Sequence, residues 1–416
     1  MIQKLDVFEF VSYEIQPDKK TINFNYRTRD LYLTEKIILP SPIPSSVNSV
    51  LLKNILDNLH LILGISYFKI YCPKEIVIPY YLSKAQADFW NTVYTKGLGE
   101  FFYKNKIDFR GLINFPYFDV LNTQPIQLAS ACLPAGRLDE AKKNKFLVGI
   151  GGGKDSIVSV EILKEQKKEI SGFILDSQDN PPLVQTDVAK TMEINYLIVK
   201  RQLDLQLFDL KSTYNGHIPI TAIYSFIALL LAVIYNYSSI IIPNGKSANF
   251  GNVNYLGVEI NHQWSKSEEF EKLFQEYVSQ YITSSINLYS NLRPYSEVKI
   301  AKMFSSHKKY FPVFSSCNRN FKIKTNVNQK RWCGECAKCA FVFIVLAANL
   351  PKEEVVKIFD KNLLNDSKLI PLYQDLIGKG KMKPFDCVGT FEESIKAFEM
   401  IKNKGEFTDD IVMKTI

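Results

Sequence analysis

Phe146-Leu147-Val148-Gly149-Ile150-Gly151-Gly152-Gly153-Lys154-Asp155-Ser156-Ile157 reads as a buried strand, a glycine turn and a helix start. The apolar run Phe146–Ile150 has strand length, and residues 155–167 carry Ile157, Val158, Val160, Ile162 and Leu163 on one side of a helix. Glycine lets a backbone approach a phosphate closely and adopt positive φ. The free N–H groups of a helix start, together with its dipole, favour an anion. The segment therefore predicts a phosphate-binding turn. It is not a Walker A loop, because counting from Gly149 puts Lys154 where the second glycine belongs. The dinucleotide fingerprint fails at the same lysine. Gly245-Lys246-Ser247 is a second decoy, with Ile240 in place of the first Walker glycine.

Beyond this turn, strand-like runs at 170–175, 196–199 and 239–243 alternate with helical patterns, including an apolar one at 220–235. That alternation predicts an α/β fold with a parallel sheet covered on both faces. Residues 1–140 read as a mixed α/β domain: β-rich over 7–39, helical at 45–63 and 84–103, with a strand at 75–80. The basic stretch Lys142-Lys143-Asn144-Lys145 marks a boundary, and residues 350–416 read as helices only. The expected organisation is thus 1–140, 141–349 and 350–416. The run Ile218 to Tyr235 has almost no charge, but it contains Pro219, Thr221 and Ser225 and lies between strands, so it reads as a buried helix, not a membrane span. No signal peptide is visible from Met1 to Asp6, and a soluble cytoplasmic protein is expected. At 46% apolar and 23% charged residues, the 416-residue chain falls outside the disordered and fibrous classes. A net charge of +8 suits a nucleotide, a nucleic acid or a carboxylate-rich metabolite, or serves solubility alone.

Seven cysteines, three of them in Cys333-Gly334-Glu335-Cys336-Ala337-Lys338-Cys339, do not look like a disulfide framework. Two-residue gaps let neighbouring thiolates reach one metal, and Cys317, 16 positions upstream of Cys333, would complete four sulfurs. A closed tetrahedral Zn²⁺ site of this kind is structural; an iron–sulfur cluster is the alternative.

The turn Gly151–Ser156 resembles the Ser-Gly-Gly-x-Asp-Ser signature of PP-loop ATP pyrophosphatases, with Gly151 in place of the usual serine. The resemblance implies cleavage of ATP between the α- and β-phosphates and adenylation of a carboxylate. Gly151, Gly152, Gly153, Lys154, Asp155 and Ser156 would hold the leaving pyrophosphate with Mg²⁺, and the adenine would lie near the end of the next strand, at Asp176. The cysteine run is similar to the zinc site of the PP-loop enzymes that make 7-cyano-7-deazaguanine, although the loop after the first cysteine is longer here. Three further stretches narrow the likeness: Asn215-Gly216-His217-Ile218-Pro219-Ile220-Thr221, Asn261-His262-Gln263-Trp264-Ser265-Lys266-Ser267 and Lys383-Pro384-Phe385-Asp386-Cys387-Val388-Gly389-Thr390. Together, over 146 to about 395, they resemble the ATP-dependent UDP-N-acetylmuramoyl-L-alanyl-L-glutamate epimerase family. Gly97-Leu98-Gly99-Glu100-Phe101-Phe102-Tyr103 adds to this upstream.

The resemblance implies inversion of the terminal L-Glu of a UDP-sugar-peptide, a peptidoglycan precursor. An α-proton beside a carboxylate is very weakly acidic, since its removal puts negative charge next to negative charge. Adenylation removes that charge, so the carbanion delocalises as an enolate and a base and an acid can exchange the proton. Asp155, His217, His262, Cys387 and Lys266 are the candidate catalytic residues, and Lys246 is a candidate anion holder. Which groups are acid and base stays open. Each also has a plain structural reading: a loop-fixing histidine, a small buried thiol, a solvated lysine. Ser265-x-x-Glu268 and Thr390-x-x-Glu393 both match a capping box. Arg201, Arg293, Arg319 and Arg331 have the geometry to fork onto an anion. The competing readings are a nitrile-forming or amidating PP-loop ligase, a tRNA-modifying enzyme and a non-catalytic ATP sensor. No RNA-binding module is apparent, so nucleic acid is not an expected partner.

Overall fold

The computed structural model describes residues 6–118, 144–177, 183–321 and 330–416. The expected boundary near residue 140, Lys142, Lys143 and Cys132 lie outside these segments. The strands are β1 (Val7–Ile15), β2 (Thr21–Thr28), β3 (Leu31–Ile38), β4 (Glu75–Val77), β5 (Lys145–Gly149), β6 (Glu169–Asp176), β7 (Asn195–Gln202), β8 (Ser239–Ile241), β9 (Val253–Tyr255), β10 (Val258–Ile260) and β11 (Asn287–Tyr289). Among the described residues, nine of them make one sheet in the order β11-β8-β5-β6-β7-β3-β2-β1-β4, and β9 and β10 form a separate hairpin. The run β11-β8-β5-β6-β7 is parallel. From β7 through β3 and β2 to β1 the pairing is antiparallel, and β4 adds in parallel at the edge.

Burial follows the sequence pattern. In β2, Ile22, Phe24, Tyr26 and Thr28 are buried while the residues between them are half-exposed, as in a strand with one covered face. In β5 every residue after Lys145 is buried, as expected of a strand covered on both faces. The helices follow in chain order as α1 (Ser49–Leu63), α2 (Ile65–Phe68), α3 (Lys84–Gly97), α4 (Gly99–Asn105), α5 (Lys154–Glu165), α6 (Leu183–Met192), α7 (Ile220–Ile234), α8 (Glu268–Tyr281), α9 (Glu297–Ser305), α10 (Ala337–Ala347), α11 (Lys352–Phe359), α12 (Ile370–Leu376), α13 (Phe391–Lys404) and α14 (Ile411–Thr415). The apolar helix α7 is buried almost throughout and packs on α1, β5 and β8. No described helix is long and apolar enough to cross a membrane. Equally buried α10 is the post around which α9 and α11 to α13 pack.

Three local expectations change. The pattern at 84–103 is two helices, broken at Leu98, whose φ −93° and ψ 9° leave the helical range; Gly97 before it packs against the ring of Pro219, where a Cβ would come within 2.7 Å of Cγ. Ser267, not Ser265, caps α8: its hydroxyl accepts from the Phe270 N–H at 3.2 Å, and Ser265 lies in the preceding 3₁₀ turn. Thr390 and Glu393 do form the expected capping box. Arg201 is not an anion holder. Its guanidinium donates from Nε to Glu35 Oε1 at 2.6 Å, and from Nη2 to Glu35 Oε2 at 3.2 Å and Ser66 Oγ at 2.7 Å. Arg293, Arg319 and Arg331 are likewise paired, with Glu271, Glu335 and Asp187.

The Glu35–Arg201 pair is fully buried and sits where β3 joins β7, the narrow seam between the antiparallel and parallel parts of the sheet. Removing one partner strands a charge in the core. Arg201→Met is expected to cost about 3–5 kcal/mol, and adding Glu35→Leu should recover most of that loss. Urea-unfolding midpoints measure both; a double variant as unstable as the single one would contradict the charge argument.

Candidate active site

The order of the parallel strands reverses at β5: β6 and β7 lie to one side, β8 and β11 to the other. Ligands of open α/β sheets bind in the crevice at the carboxyl ends of strands flanking such a reversal. Gly151–Gly153 follow β5 there, and Gly245-Lys246-Ser247 follow β8. Gly152 has φ +81°, and a Cβ on it would approach Val184 Cγ1 to 2.8 Å. A Cβ on Gly153 would sit 2.4 Å from Ser316 Oγ, whereas Gly151 opens on free space. Among the described residues no side chain caps α5, so its first N–H groups can serve another acceptor. This donor set fits a phosphate. Asp176 ends β6 on the same edge of the sheet and is buried.

Lys154 turns inward. Its ammonium donates to Asp155 Oδ1 at 2.5 Å and to Glu297 of α9, whose other oxygen accepts from Ser247 at 3.1 Å. Burial disfavours the charge on Lys154, but the two carboxylates outweigh it and raise its pKa. Burial likewise opposes ionisation of Asp155; Lys154, Lys338 and Lys266 together hold it below its usual range. Lys246 stays exposed.

The other candidates converge on one cluster. Cys387 Sγ accepts from Lys266 Nζ at 3.1 Å and lies 3.8 Å from His262 Nε2. Nδ1 of His262 is hydrogen-bonded to Glu100 Oε2, and His217 Nδ1 is 3.5 Å from the same oxygen. The two imidazole centroids are 4.5 Å apart. Each loop is pinned by the backbone. Lys69 Nζ donates to Gly216 O at 2.7 Å and Asn105 to Asn215 O at 3.1 Å. The His262 N–H donates to Asn252 Oδ1 at 3.0 Å, and Lys338 donates to the carbonyl of Cys387. Glu100, from α4, Lys338 and Glu297 are members that sequence reading missed. The Gly97–Tyr103 stretch carried the only signal for Glu100, and nothing marked Glu297.

Electrostatics separates the roles. Burial would raise the Cys387 thiol, but Lys266 and His262 push it well below its usual value. For His262, burial is outweighed by Cys387 and Glu100, which raise it to about 9. Burial, reinforced by the charge on His262, lowers His217 to about 3. Burial opposes the charge on Glu100, yet its histidine partners hold it at about 2. These shifts favour the thiolate at Cys387, a proton on His262, a neutral His217 and an ionised Glu100. Two imidazoles whose pKa values are driven apart are a ready acid and base. Glu100, His217 and His262 also have ligand atoms within 4.8 Å of one another.

Cys317, Cys333, Cys336 and Cys339 bring four sulfurs within 4.8 Å of one another, so the fold supplies the distant fourth thiol. Sγ separations of 3.7 Å (Cys333–Cys339) and 3.5 Å (Cys336–Cys339) approach the roughly 3.8 Å edge of a tetrahedron with 2.3 Å Zn–S bonds. The donor set is compatible with zinc. It also braces the reactive cluster: Lys338 lies between two of these thiols, and Asn318, next to Cys317, donates to Asp386 beside Cys387.

Residues 1–291 match the family model of the MurL N-terminal domain, and residues 313–416 that of the MurL C-terminal domain. A protein of Micromonospora sp. named UDP-N-acetyl-alpha-D-muramoyl-L-alanyl-L-glutamate epimerase is 36% identical over 423 residues, covering 100% of this chain and 91% of that protein. Proteins of the same name from Xanthomonas oryzae pv. oryzae and Salinispora tropica are 38% and 34% identical. The first alignment covers 88% of this chain and 78% of the relative, the second 100% and 89%. With both family models matched along the chain and these relatives aligned over most of their length, the chain belongs to the MurL family.

Proposed function

We propose that this protein is an ATP-dependent epimerase that inverts the terminal L-Glu of UDP-N-acetylmuramoyl-L-alanyl-L-glutamate to D-Glu, releasing AMP and pyrophosphate, in the cytoplasmic assembly of peptidoglycan precursors. One observation carries the reading: the proton-transfer cluster and the glycine loop meet at Lys266, whose ammonium is 3.1 Å from Cys387 and also acts on Asp155. That contact supports a reading in which activation of a carboxylate and exchange of the neighbouring α-proton take place side by side. The names of the relatives supply the substrate class.

In this reading residues 141–349 form the PP-loop domain. The backbone of Gly151, Gly152 and Gly153 and the hydroxyl of Ser156 cradle the phosphates. Lys154 fixes Asp155, Asp155 offers a carboxylate to Mg²⁺, and Asp176 lies on the adenine side. Magnesium, when bound, neutralises charge on the departing pyrophosphate. His217, uncharged, accepts the α-proton, and His262, as imidazolium, returns one; Glu100 orients both rings. The segment 1–140 thus supplies part of the chemistry through Glu100. The helical region 350–416 follows the metal-bearing segment and presents Cys387. The four-cysteine site is assigned to structural zinc.

The defining test is pyrophosphate release from ATP and Mg²⁺, with and without the UDP-sugar-peptide, in D₂O. Substrate-dependent pyrophosphate with deuterium at the glutamate α-carbon is expected; folded protein giving neither signal would overturn the reading. His217→Asn should keep pyrophosphate release while deuterium incorporation falls about 10²- to 10⁴-fold.

The pH profile follows from His262. Its folded pKa, about 9, lies above the ordinary value, so the catalytic proton is present below that pH and lost as pH rises through it. The kcat/KM for epimerisation should be flat from about pH 6 to 8 and fall above about 9. A limb centred near pH 6.5 would contradict the charged role of His262. Elemental analysis should find about one zinc per chain, and stripping it should lower the thermal-unfolding midpoint. Iron with visible absorbance would identify a cluster instead.

A further inference from the structure

The arrangement at Cys387 is more than a proton-transfer group needs. Its sulfur faces the Nε2 of His262 at 3.8 Å, and the Nδ1 of that ring is oriented by the buried carboxylate of Glu100. A thiol, an imidazole and a third group that orients the imidazole are the signature of an activated nucleophile. Lys266, 3.1 Å from the sulfur, sharpens the distinction. An ammonium so close lowers the basicity of a thiolate, which works against its taking a weakly acidic carbon-bound proton. Nucleophilicity falls less steeply than basicity, so the same lysine leaves the thiolate a competent attacking group. The sulfur also shares its cations with the glycine loop. Lys266 and Lys338 both act on Asp155 of the glycine loop, and Lys338 holds the carbonyl of Cys387. Cys387 as a residue is half-buried.

We infer that Cys387 is an acyl acceptor, and that the α-proton is exchanged while the glutamyl group is held on it as a thioester. This rests on the adenylating reading above. The Cys387 thiolate attacks the carbonyl carbon of the adenylated carboxylate. A C–S bond forms, the C–O bond to phosphate breaks, and AMP leaves with that electron pair. The neutral imidazole of His217 takes the α-proton, and the electrons delocalise onto the thioester oxygen. A proton from His262 returns to the carbon on the other face. Water gives one proton to the now neutral His262 and attacks the thioester carbonyl, the C–S bond breaks, and the thiolate is regenerated with the free D-glutamyl acid, while His217 returns its proton to solvent. ATP and one water become AMP and pyrophosphate, with no redox partner needed. The thioester keeps the α-carbon beside the two histidines after the nucleotide has gone.

The test is a rapid acid quench of the full chain turning over UDP-N-acetylmuramoyl-L-alanyl-L-glutamate with ATP and Mg²⁺, followed by mass spectrometry of the tryptic peptide 382–396, which contains Cys387 and no other cysteine. The expected product is Cys387 carrying the mass of the substrate less one water, released by neutral hydroxylamine. In parallel, Cys387→Ala should form up to one equivalent of pyrophosphate per chain, carry no adduct, and release AMP on the order of 100-fold more slowly than the native protein. Pyrophosphate and α-deuterium from the native protein without an adduct, together with native AMP release from Cys387→Ala, would overturn the acyl-acceptor role and leave the epimerase reading standing. No substrate-dependent pyrophosphate from the native protein would remove the epimerase reading and this inference with it.

Discussion

A thiolate away from bulk water persists only beside cations, and the fold meets that demand at Cys387 with groups from distant parts of the chain. Lys266 and His262 come from the segment after β10, and Lys338 from the first turn of α10. The cation on His262 is in turn stabilised by Glu100, from α4. Burial, reinforced by the charge on His262 4.5 Å away, disfavours a proton on His217. In the proposed mechanism the division of labour between the two imidazoles follows from burial and from charge balance at the sulfur. The same logic runs on into the glycine loop, where Asp155 is held ionised by Lys154, Lys338 and Lys266 against the cost of burial.

Because these groups are spread over the chain, the geometry depends on the continuity of the sheet. Strand β3 joins β7 over a short antiparallel register, reinforced by the buried Glu35–Arg201 pair. That seam ties α1 to α4, and so Glu100, to the parallel strands that carry the glycine loop. A close approach helps: Gly97, at the end of α3, packs directly on Pro219, two residues beyond His217. On the far side of the crevice the four cysteines fix the entry to α10 and the turn at Cys317. Lys338 and Asn318 extend from them to the backbone and neighbour of Cys387. A site that looks remote and structural thus helps hold the reactive sulfur in place.

On the proposed reading, the chemistry of a carboxylate-adjacent stereocentre accounts for two unlike half-sites side by side. Inversion needs the carboxylate charge masked before the proton is touched, and an anion-binding turn at the switch point of a parallel sheet suits that first task. The second task needs a base and an acid of different protonation at one pH, which a shared carboxylate and a buried thiolate provide. Lys266 serves both, bonding to the sulfur and acting on Asp155.

By itself the sequence determined what is local. The strand, glycine turn and helix at 146–165, the apolar helix at 220–234, the capping box at Thr390 and the three-cysteine run are each set by neighbours within one or two helical turns, where periodicity, turn chemistry and ligand spacing are readable. The segments that resemble the family also marked His217, His262, Lys266 and Cys387, while leaving open which of them act as acid and base. Tertiary structure decided the rest, because the forces involved act between residues far apart in the chain. No local rule distinguishes Glu100 from a surface glutamate on an amphipathic helix; only the packing of α4 against the His262 loop desolvates it and supplies its partners. The same holds for Arg201, a candidate anion holder by composition that the β3–β7 pairing commits to Glu35, and for Lys154, which α9 turns inward toward Glu297. Burial and ion pairing are properties of the assembled sheet, and they alone decide which of many charged residues carry function.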